Sequence, residues 1–220
     1  MEKYKCPHCK GVSVKAGKAA DGAQRYRCNS CFKYHKNKYL YKAWQADTNE
    51  WLLGLSRENC GINGMSRLLG ISKSTIIRRL NNLSSSLKKP AVVLDHNYEV
   101  DELCTYVGSK KNKCWITYAL DRQTGQVADI RIGRRNKKTL KGVISTLLLG
   151  QANIYTDGFG LYKLLIPKNI HRLARYGTNC IERKNLTLRT HLKRLNRLTL
   201  SFSKSIRMLE ASVKLYLWSC

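Results

Sequence analysis

The chain has 220 residues, and its 41 Lys and Arg against 14 Asp and Glu give a formal net charge of +27 at pH 7. A hydrophobic fraction of 43% is ordinary for a folded protein, and both halves are basic, which excludes a neutral fold with a charged tail. No apolar run reaches the roughly 18 residues that a membrane span needs, and the start has no apolar signal-peptide core. We therefore expect a soluble intracellular protein.

The charge indicates a nucleic-acid partner, because a phosphate backbone is the usual counterpart of so basic a chain. A ribosomal or membrane-surface protein is the alternative. The motifs that follow favour the first interpretation, since ribosomal proteins rarely carry such a set.

Four of the nine cysteines form two C-x2-C pairs near the start, with 18 residues between the pairs. They are Cys6, Cys9, Cys28 and Cys31. Each pair can supply two thiolates to one side of a tetrahedron, so the four predict a structural Zn²⁺ site in a zinc ribbon over residues 1–42. Four unrelated thiols are the alternative. His8 and His35 are spare candidate ligands, but we expect both to contact solvent or phosphate.

Residues 62–80 have the pattern of two helices joined by a turn that contains Gly70. Ser72 can cap the second helix, with Ile71 and Ile76 at the positions of a hydrophobic staple. The first turns of such a helix contact base edges and phosphates in helix-turn-helix proteins. The residues predicted to do so are Lys73, Ser74, Thr75 and Arg78. An ordinary helical hairpin is the alternative, but the zinc motif before it reinforces the DNA-binding interpretation.

A further helix is predicted over residues 47–59, with Asp47 as its N-cap. The polar, Ser-rich run that ends at Pro90 breaks the helical period. We therefore predict a helix-turn-helix DNA-binding domain over residues 43–83 and a linker over residues 84–95.

The rest of the chain, residues 96–220, alternates strand and helix patterns in the order β, β, β, α, β, α, β, α, α. Three antiparallel strands followed by alternating helices and strands is the order of a ribonuclease H-like α/β domain. The predicted strands are 98–107, 114–120, 126–132, 152–156 and 170–174. The predicted helices are 137–149, 159–165, 180–196 and 203–218.

Residues 130–220 are rich in Lys and Arg and hold only three acidic residues, Asp157, Glu182 and Glu210. Asp157 closes a predicted strand, Glu182 opens a predicted helix, and Asp101 lies within the first strand of the domain. In the predicted strand order, the strands of Asp101 and Asp157 are neighbours, with Glu182 over their ends. Isolated carboxylates in a basic surround suggest a site for two Mg²⁺ ions, one to activate a water or 3'-hydroxyl that attacks a phosphodiester and one to stabilise the leaving oxygen.

These carboxylates also have simpler interpretations. Asp157 precedes Gly158 and suits a plain turn, and Glu182 suits a solvated charge at a helix N-terminus. Strand alternation puts Glu99 on the face of Asp101 and Glu102 on the other face, so Glu99 is the predicted accessory acid.

Two polar residues follow Glu182 at helical spacing. Asn185 and Arg189 lie three and seven positions later, on the same helix face. We predict that both contact DNA, with Arg189 holding a phosphate beside the metal ions.

The motifs together resemble the insertion-sequence-one family of bacterial DDE transposases. Between Asp157 and Glu182 there are 24 residues, the spacing of that family's catalytic pattern. The N-terminal C-x2-C pairs and the helix-turn-helix are similar to the family's DNA-binding half. The matching stretches are Glu-Val-Asp-Glu at 99–102, Tyr-Val-Gly at 106–108, Thr-Asp-Gly-Phe at 156–159, and the blocks 181–192 and 200–205.

The resemblance implies a DNA transposase that binds terminal inverted repeats and catalyses metal-dependent cleavage and strand transfer. It implies a catalytic triad of Asp101, Asp157 and Glu182 that holds Mg²⁺ or Mn²⁺. The implied partners are double-stranded DNA, as repeats and as target, and further copies of the chain assembled on that DNA. The implied location is the bacterial cytoplasm, at the nucleoid.

One departure from the family pattern is Leu103-Cys104, where a polar and an aromatic residue would be expected. Two other functions remain open at this point. One is a catalytically inactive, sequence-specific DNA-binding regulator derived from a transposase. The intact triad argues against this function. A structure-specific nuclease is opposed by the helix-turn-helix, which such an enzyme does not need.

Overall fold

The computed structural model describes residues 4–36, 41–150, 152–173 and 177–219. Within these ranges it contains a four-stranded N-terminal sheet, three helices that pack together, and a five-stranded sheet with helices on both faces. The protein therefore has a mixed α/β architecture, as predicted. No helix in the described ranges combines the length and the apolar character that crossing a lipid bilayer requires.

The N-terminal sheet is antiparallel and follows chain order. Its strands are β1 (Tyr4–Lys5), β2 (Val12–Lys18), β3 (Gln24–Cys28) and β4 (Tyr34–Lys36). The prediction that His35 faces solvent or phosphate is wrong. The alternation of β4 turns this residue inward, where its ring stacks on Tyr26 and its Nε2 atom lies 2.8 Å from Ser13 Oγ.

Three helices follow, and they are α1 (Thr48–Arg57), α2 (Ile62–Leu69) and α3 (Lys73–Ser86). α1 begins after Asp47, as predicted, but the Asp47 carboxylate accepts a hydrogen bond from Trp51 Nε1 at 3.1 Å instead of capping a backbone N–H. α3 continues to Ser86, so its last turn occupies the start of the segment predicted as a linker.

The turn between α2 and α3 has the predicted chemistry. Gly70 ends α2 with a φ of 63°, a left-handed conformation that glycine adopts without strain. Ser72 Oγ accepts a hydrogen bond from the backbone N–H of Thr75 at 3.3 Å, which confirms the predicted cap. Ile71 and Ile76 are both buried at this turn.

The five-stranded sheet consists of β5 (Asn97–Val107), β6 (Ser109–Asp121), β7 (Val127–Gly133), β8 (Asn153–Tyr155) and β9 (His171–Arg172). Their order across the sheet is β7-β6-β5-β8-β9. β5, β6 and β7 are antiparallel neighbours, whereas β8 and β9 continue the sheet in parallel with β5. The predicted strand at 170–174 shortens to β9, and residue 174 lies outside the described residues.

Four helices cover the sheet, two on each face. α4 (Lys137–Leu148) and α5 (Gly160–Leu165) pack on one face, and α6 (Asn179–His191) and α7 (Ile206–Trp218) pack on the other. The predicted helix 180–196 is interrupted after α6 and ends in a single 3-10 turn, Lys193–Leu195.

α7 belongs to two hydrophobic cores. Leu209 and Val213 pack against the sheet, while Met208, Ala211 and Leu215 pack among α1, α2 and α3. Successive helical residues point about 100° apart, so one helix can present two apolar faces. The helices α1–α3, here called the helix-turn-helix unit, are therefore packed directly on the five-stranded sheet and α4–α7, here called the α/β unit.

Candidate functional site

Asp101 and Asp157 lie next to each other, on and just after two neighbouring parallel strands. In the parallel pairing of β5 and β8, Glu99 is opposite Tyr155. Asp101 lies two residues beyond Glu99, and Asp157 lies two residues beyond Tyr155, just after β8 ends. Because the two segments run parallel and each carboxylate lies two residues beyond a paired position, the two carboxylates lie side by side.

The two aspartates form a carboxylate cluster with Glu102. Oxygen atoms of all three side chains lie within 4.8 Å of one another. Oxygen donors of this kind suit a hard divalent cation such as Mg²⁺ or Mn²⁺, so the donor set fits the predicted metal.

Arg135 neutralises part of this negative charge. Its Nε and Nη2 atoms lie 3.2 and 3.4 Å from the two Glu102 oxygens, and Nη2 lies 4.0 Å from Asp157 Oδ2. The guanidinium also stacks 3.7 Å from the ring centre of Phe159. Sequence reasoning missed Arg135, because a contact 33 residues from Glu102 leaves no local pattern.

A hydrogen-bond chain orients Asp101. Tyr118 Oη donates to Asn185 Oδ1 at 2.8 Å, and Asn185 Nδ2 donates to Asp101 Oδ2 at 2.8 Å. Tyr118 thereby fixes which end of the Asn185 amide faces the carboxylate. Burial, together with the charges of Glu102 and Asp157, raises the pKa of Asp101 to about 6.

The raised pKa predicts pH-dependent metal binding. A metal ion must displace the Asp101 proton, so its affinity should fall about tenfold for each pH unit below about 6 and should level off above that value. Calorimetric titration of Mn²⁺ between pH 5 and pH 7 measures this slope. An Asp101→Asn control should lose both affinity and slope, and a flat wild-type profile would contradict the prediction.

The prediction that Glu99 is the accessory acid is wrong. Glu99 is 0% exposed, and its Oε2 accepts a hydrogen bond from the backbone N–H of Ile181 at 2.6 Å. Its Oε1 lies 3.0 Å from Arg122 Nε. Alternation puts Glu99 on the face of Asp101, but the start of α6 covers that part of the face. Glu102 takes the place in the cluster instead.

Glu182 shares a groove with the cluster but does not belong to it. The groove has a volume of about 1050 Å³ and is lined by Asp101, Glu102, Glu182 and Asn185 among other residues. Glu182 Oε1 accepts a hydrogen bond from Thr178 Oγ1 at 3.0 Å, and the side chain is outside the 4.8 Å cluster. The structure thus brings Asp101 and Asp157 together and leaves Glu182 on the neighbouring helix.

Arg189 also lines this groove, held by two backbone carbonyls. Nη1 donates to Leu195 O at 2.8 Å and Nη2 donates to Cys104 O at 3.2 Å. Burial lowers the pKa of Arg189 below its ordinary value. Arg197 lines the same groove, so positive charge stands beside the carboxylates.

The four predicted zinc ligands converge in the N-terminal sheet. Their sulfur atoms lie within 4.8 Å of one another, with Cys6 and Cys31 at 3.6 Å and Cys9 and Cys28 at 3.4 Å. A Zn–S bond of about 2.3 Å separates the sulfurs of a tetrahedral site by about 3.8 Å, so this cluster fits zinc. Backbone N–H groups of Cys31 and Ser30 contribute to lowering the pKa of Cys28 to about 6, which favours the thiolate that binds metal.

The predicted DNA-reading residues occupy the start of α3. Lys73, Ser74 and Arg78 are exposed. Thr75 is half-buried, and its Oγ1 accepts a hydrogen bond from Ser72 Oγ at 2.9 Å. Arg79, the neighbour of Arg78, instead binds Asn49 Oδ1 at 2.7 Å and holds α3 against α1.

A model of the IS1 transposase family matches residues 94–219. The chain is 38% identical over 120 residues to insertion element IS1 protein InsB of Shigella flexneri, covering 54% of this chain and 92% of that protein. It is 39% identical over 120 residues to insertion element IS1 4 protein InsB of Escherichia coli K12, covering 54% and 72%. A simian T-cell lymphotropic virus intasome complex matches with a TM-score of 0.35 and 17% identity, over 77% of this chain and 67% of that chain, too low to establish a shared fold.

The α/β unit is thus similar to transposases over almost its whole length. The chain belongs to the IS1 transposase family.

Proposed function

We propose that the protein binds the terminal inverted repeats of an insertion sequence and catalyses metal-dependent DNA cleavage and strand transfer. The α/β unit acts in this proposal as a ribonuclease H-like catalytic domain, with Asp101, Asp157 and Glu182 as its triad. The observation that carries the proposal is the placement of Asp101, within β5, beside Asp157, just after the parallel strand β8, with their oxygens within one 4.8 Å cluster. Membership of the IS1 transposase family supports the same chemistry.

Asp101 and Asp157 would hold the divalent ions, and Glu182 would complete the ligand set from α6. When bound, Mg²⁺ or Mn²⁺ would activate the attacking hydroxyl and stabilise the leaving oxygen. Asn185 keeps the Asp101 carboxylate oriented, since its amide is itself fixed by Tyr118. Asn185 is therefore a positioning residue in this proposal, whereas the sequence suggested a DNA contact.

Positive side chains in the groove would receive the DNA backbone. Arg189 is held at the groove wall by two carbonyls, so its guanidinium loses little freedom when a phosphate approaches. Arg197 adds a second charge on the same wall. Arg135 forms an ion pair with Glu102 and lies near Asp157, so its positive charge offsets the mutual repulsion of the carboxylates.

The N-terminal units would supply DNA recognition. A structural Zn²⁺ held by Cys6, Cys9, Cys28 and Cys31 would keep the first sheet folded. α3 would lie in the major groove and read bases with its exposed first turns. Several copies of the chain would assemble on the two repeats and the target DNA.

Replacing Arg78 by Ala is expected to weaken binding to repeat DNA by roughly 1–3 kcal/mol and to reduce discrimination against random DNA. The reason is that Arg78 is exposed on α3, where a bidentate contact to guanine is possible. Affinities for repeat and random duplexes measure both effects. Arg67→Ala, at an exposed position on α2, is the matched control and should weaken binding to both duplexes equally.

If Arg78→Ala lowered the affinity for the repeat duplex and the random duplex equally, Arg78 would not be a base-reading residue. No loss on either duplex would overturn the recognition-helix assignment.

The proposed function is tested with DNA that carries the sequences on both sides of the gene. The protein should protect inverted repeats in this DNA and should cut at their ends when Mg²⁺ or Mn²⁺ is present. Protection without any cutting would favour the regulator, and cutting without preference for the repeats would favour the nuclease.

A further inference from the structure

A second cleft lies at the junction of the helix-turn-helix unit and the α/β unit. It has a volume of about 570 Å³ and is separate from the carboxylate groove. Lys73 and Ile77 of α3 line one side, and Lys193, Arg194 and Lys204 line the other. Both units supply walls, so the cleft exists only while they are packed together through α7.

Arg194 is the unusual residue of this cleft. Its Nη1 donates to Ser203 Oγ at 2.9 Å, but its Nε is buried and has no hydrogen-bond partner among the described residues. No ion pair between described residues includes Arg194. A half-buried guanidinium whose Nε is unpaired and which has no counter-charge is unfavourable, and an anion entering the cleft would offset its charge.

The rest of the cleft is also suited to an anion. Lys73, Lys193 and Lys204 line it together with Arg194, and none of its described lining residues is acidic. Ser201 and Ser203 add hydroxyl donors to the lining. Four cationic side chains with no carboxylate among them would bind phosphate strongly.

DNA backbone is the phosphate source that the geometry favours. Lys73 lies in the first turn of α3, so it belongs both to the proposed DNA-reading surface and to the cleft. A duplex held against α3 would therefore run past the cleft mouth. Leu200 is 90% exposed at the same place and offers an apolar surface to deoxyribose.

We propose that the junction cleft binds a backbone phosphate of the duplex that α3 reads, and thereby holds the helix-turn-helix unit and the α/β unit in one orientation on that duplex. This rests on the proposed function for the identity of the duplex.

The cleft is also connected to the catalytic groove. Arg194 lies in the turn Lys193–Leu195, and Leu195 O accepts the hydrogen bond of Arg189 in the groove. Phosphate binding at Arg194 would thus fix the wall of the groove that receives the DNA strand.

The test replaces single phosphates of a repeat duplex with neutral methylphosphonates and measures affinity at each position. For the wild-type protein, at least one position outside the bases read by α3 should weaken binding. At that position the Arg194→Gln protein should show no further loss, because the contact is already absent. The double variant Lys193→Gln, Lys204→Gln should behave similarly, and both of its sites are exposed, so the fold should be retained.

The salt dependence of binding gives a second readout. The slope of log affinity against log salt should fall by about 0.9 for each phosphate contact that a cleft variant loses. The control is Lys141→Gln, Lys163→Gln, which removes the same charge from exposed sites on α4 and α5. It should leave the slope and the methylphosphonate profile unchanged.

The proposal is overturned if every methylphosphonate costs the cleft variants as much as it costs the wild-type protein. It is also overturned if the Lys141, Lys163 control changes the slope as much as the cleft variants do. Failure of the proposed function is a different result, because the salt slope can be measured on random duplex DNA even if the repeats are not recognised or cut.

Discussion

Replacing Asp157 by Asn is expected to lower metal-dependent DNA cleavage by about 100-fold or more while DNA binding stays equal or improves. The carboxylate would act only through the metal ion, and its removal takes a negative charge away from the incoming phosphate. The Asp157 side chain is 45% exposed, so the substitution should not disturb the fold. Single-turnover cleavage of a repeat duplex and a gel-shift titration measure the two effects separately.

Asp101→Asn and Glu182→Gln should show the same separation of cleavage from binding. Glu210→Gln is the matched control, because Glu210 is an acid of the same basic region and its carboxylate pairs with Lys214 one turn along α7. It should cleave at the wild-type rate. Wild-type cleavage by the Asp157→Asn protein would contradict the metal-ligand assignment, and wild-type cleavage by Glu182→Gln would remove Glu182 from the triad.

Removing zinc is expected to unfold the N-terminal sheet and to abolish selective binding to the repeats. Structural zinc sites contribute on the order of 10 kcal/mol of metal-linked folding energy. A sheet of this size cannot lose that much stabilisation and remain folded. A strong chelator or Cys28→Ser should therefore make residues 4–36 exchange amide hydrogens freely, with the α/β unit still protected. Hydrogen-exchange mass spectrometry resolves the two regions.

Cys180→Ser is the control for this experiment, since Cys180 is exposed and lies outside the sulfur cluster. It should keep one zinc per chain and full protection of the first sheet. A native preparation with well under one zinc per chain and a protected N-terminal sheet would contradict the zinc assignment.

The order of elements in the α/β unit was predictable from the sequence because each element carries its own periodicity. The strand that precedes Asp157 and the Leu140, Val143, Ile144 and Leu147 face of α4 are examples, and that face is buried in the structure. The convergence of Asp101 and Asp157 also followed from the strand order. The two C-x2-C pairs were informative because metal chemistry restricts their spacing.

Other features of the site had no local signal. Strand alternation predicts which face of β5 each acid occupies. It does not predict that the start of α6 covers Glu99, or that Arg135 holds Glu102 in the cluster with Asp101 and Asp157. Arg135 reaches Glu102 from the loop between β7 and α4, and Arg194 lies in a cleft whose walls come from two different units. Such contacts depend on tertiary packing, which periodicity does not encode.

The most direct test of the account is the position of Mn²⁺ in a crystal of the protein bound to repeat DNA, measured by anomalous scattering. The account predicts Mn²⁺ between the carboxylates of Asp101 and Asp157, with Glu182 turned from Thr178 toward the metal. The account would be contradicted if crystals soaked in saturating Mn²⁺ gave no anomalous signal at these carboxylates while Arg135 kept its contacts with Glu102 and Asp157.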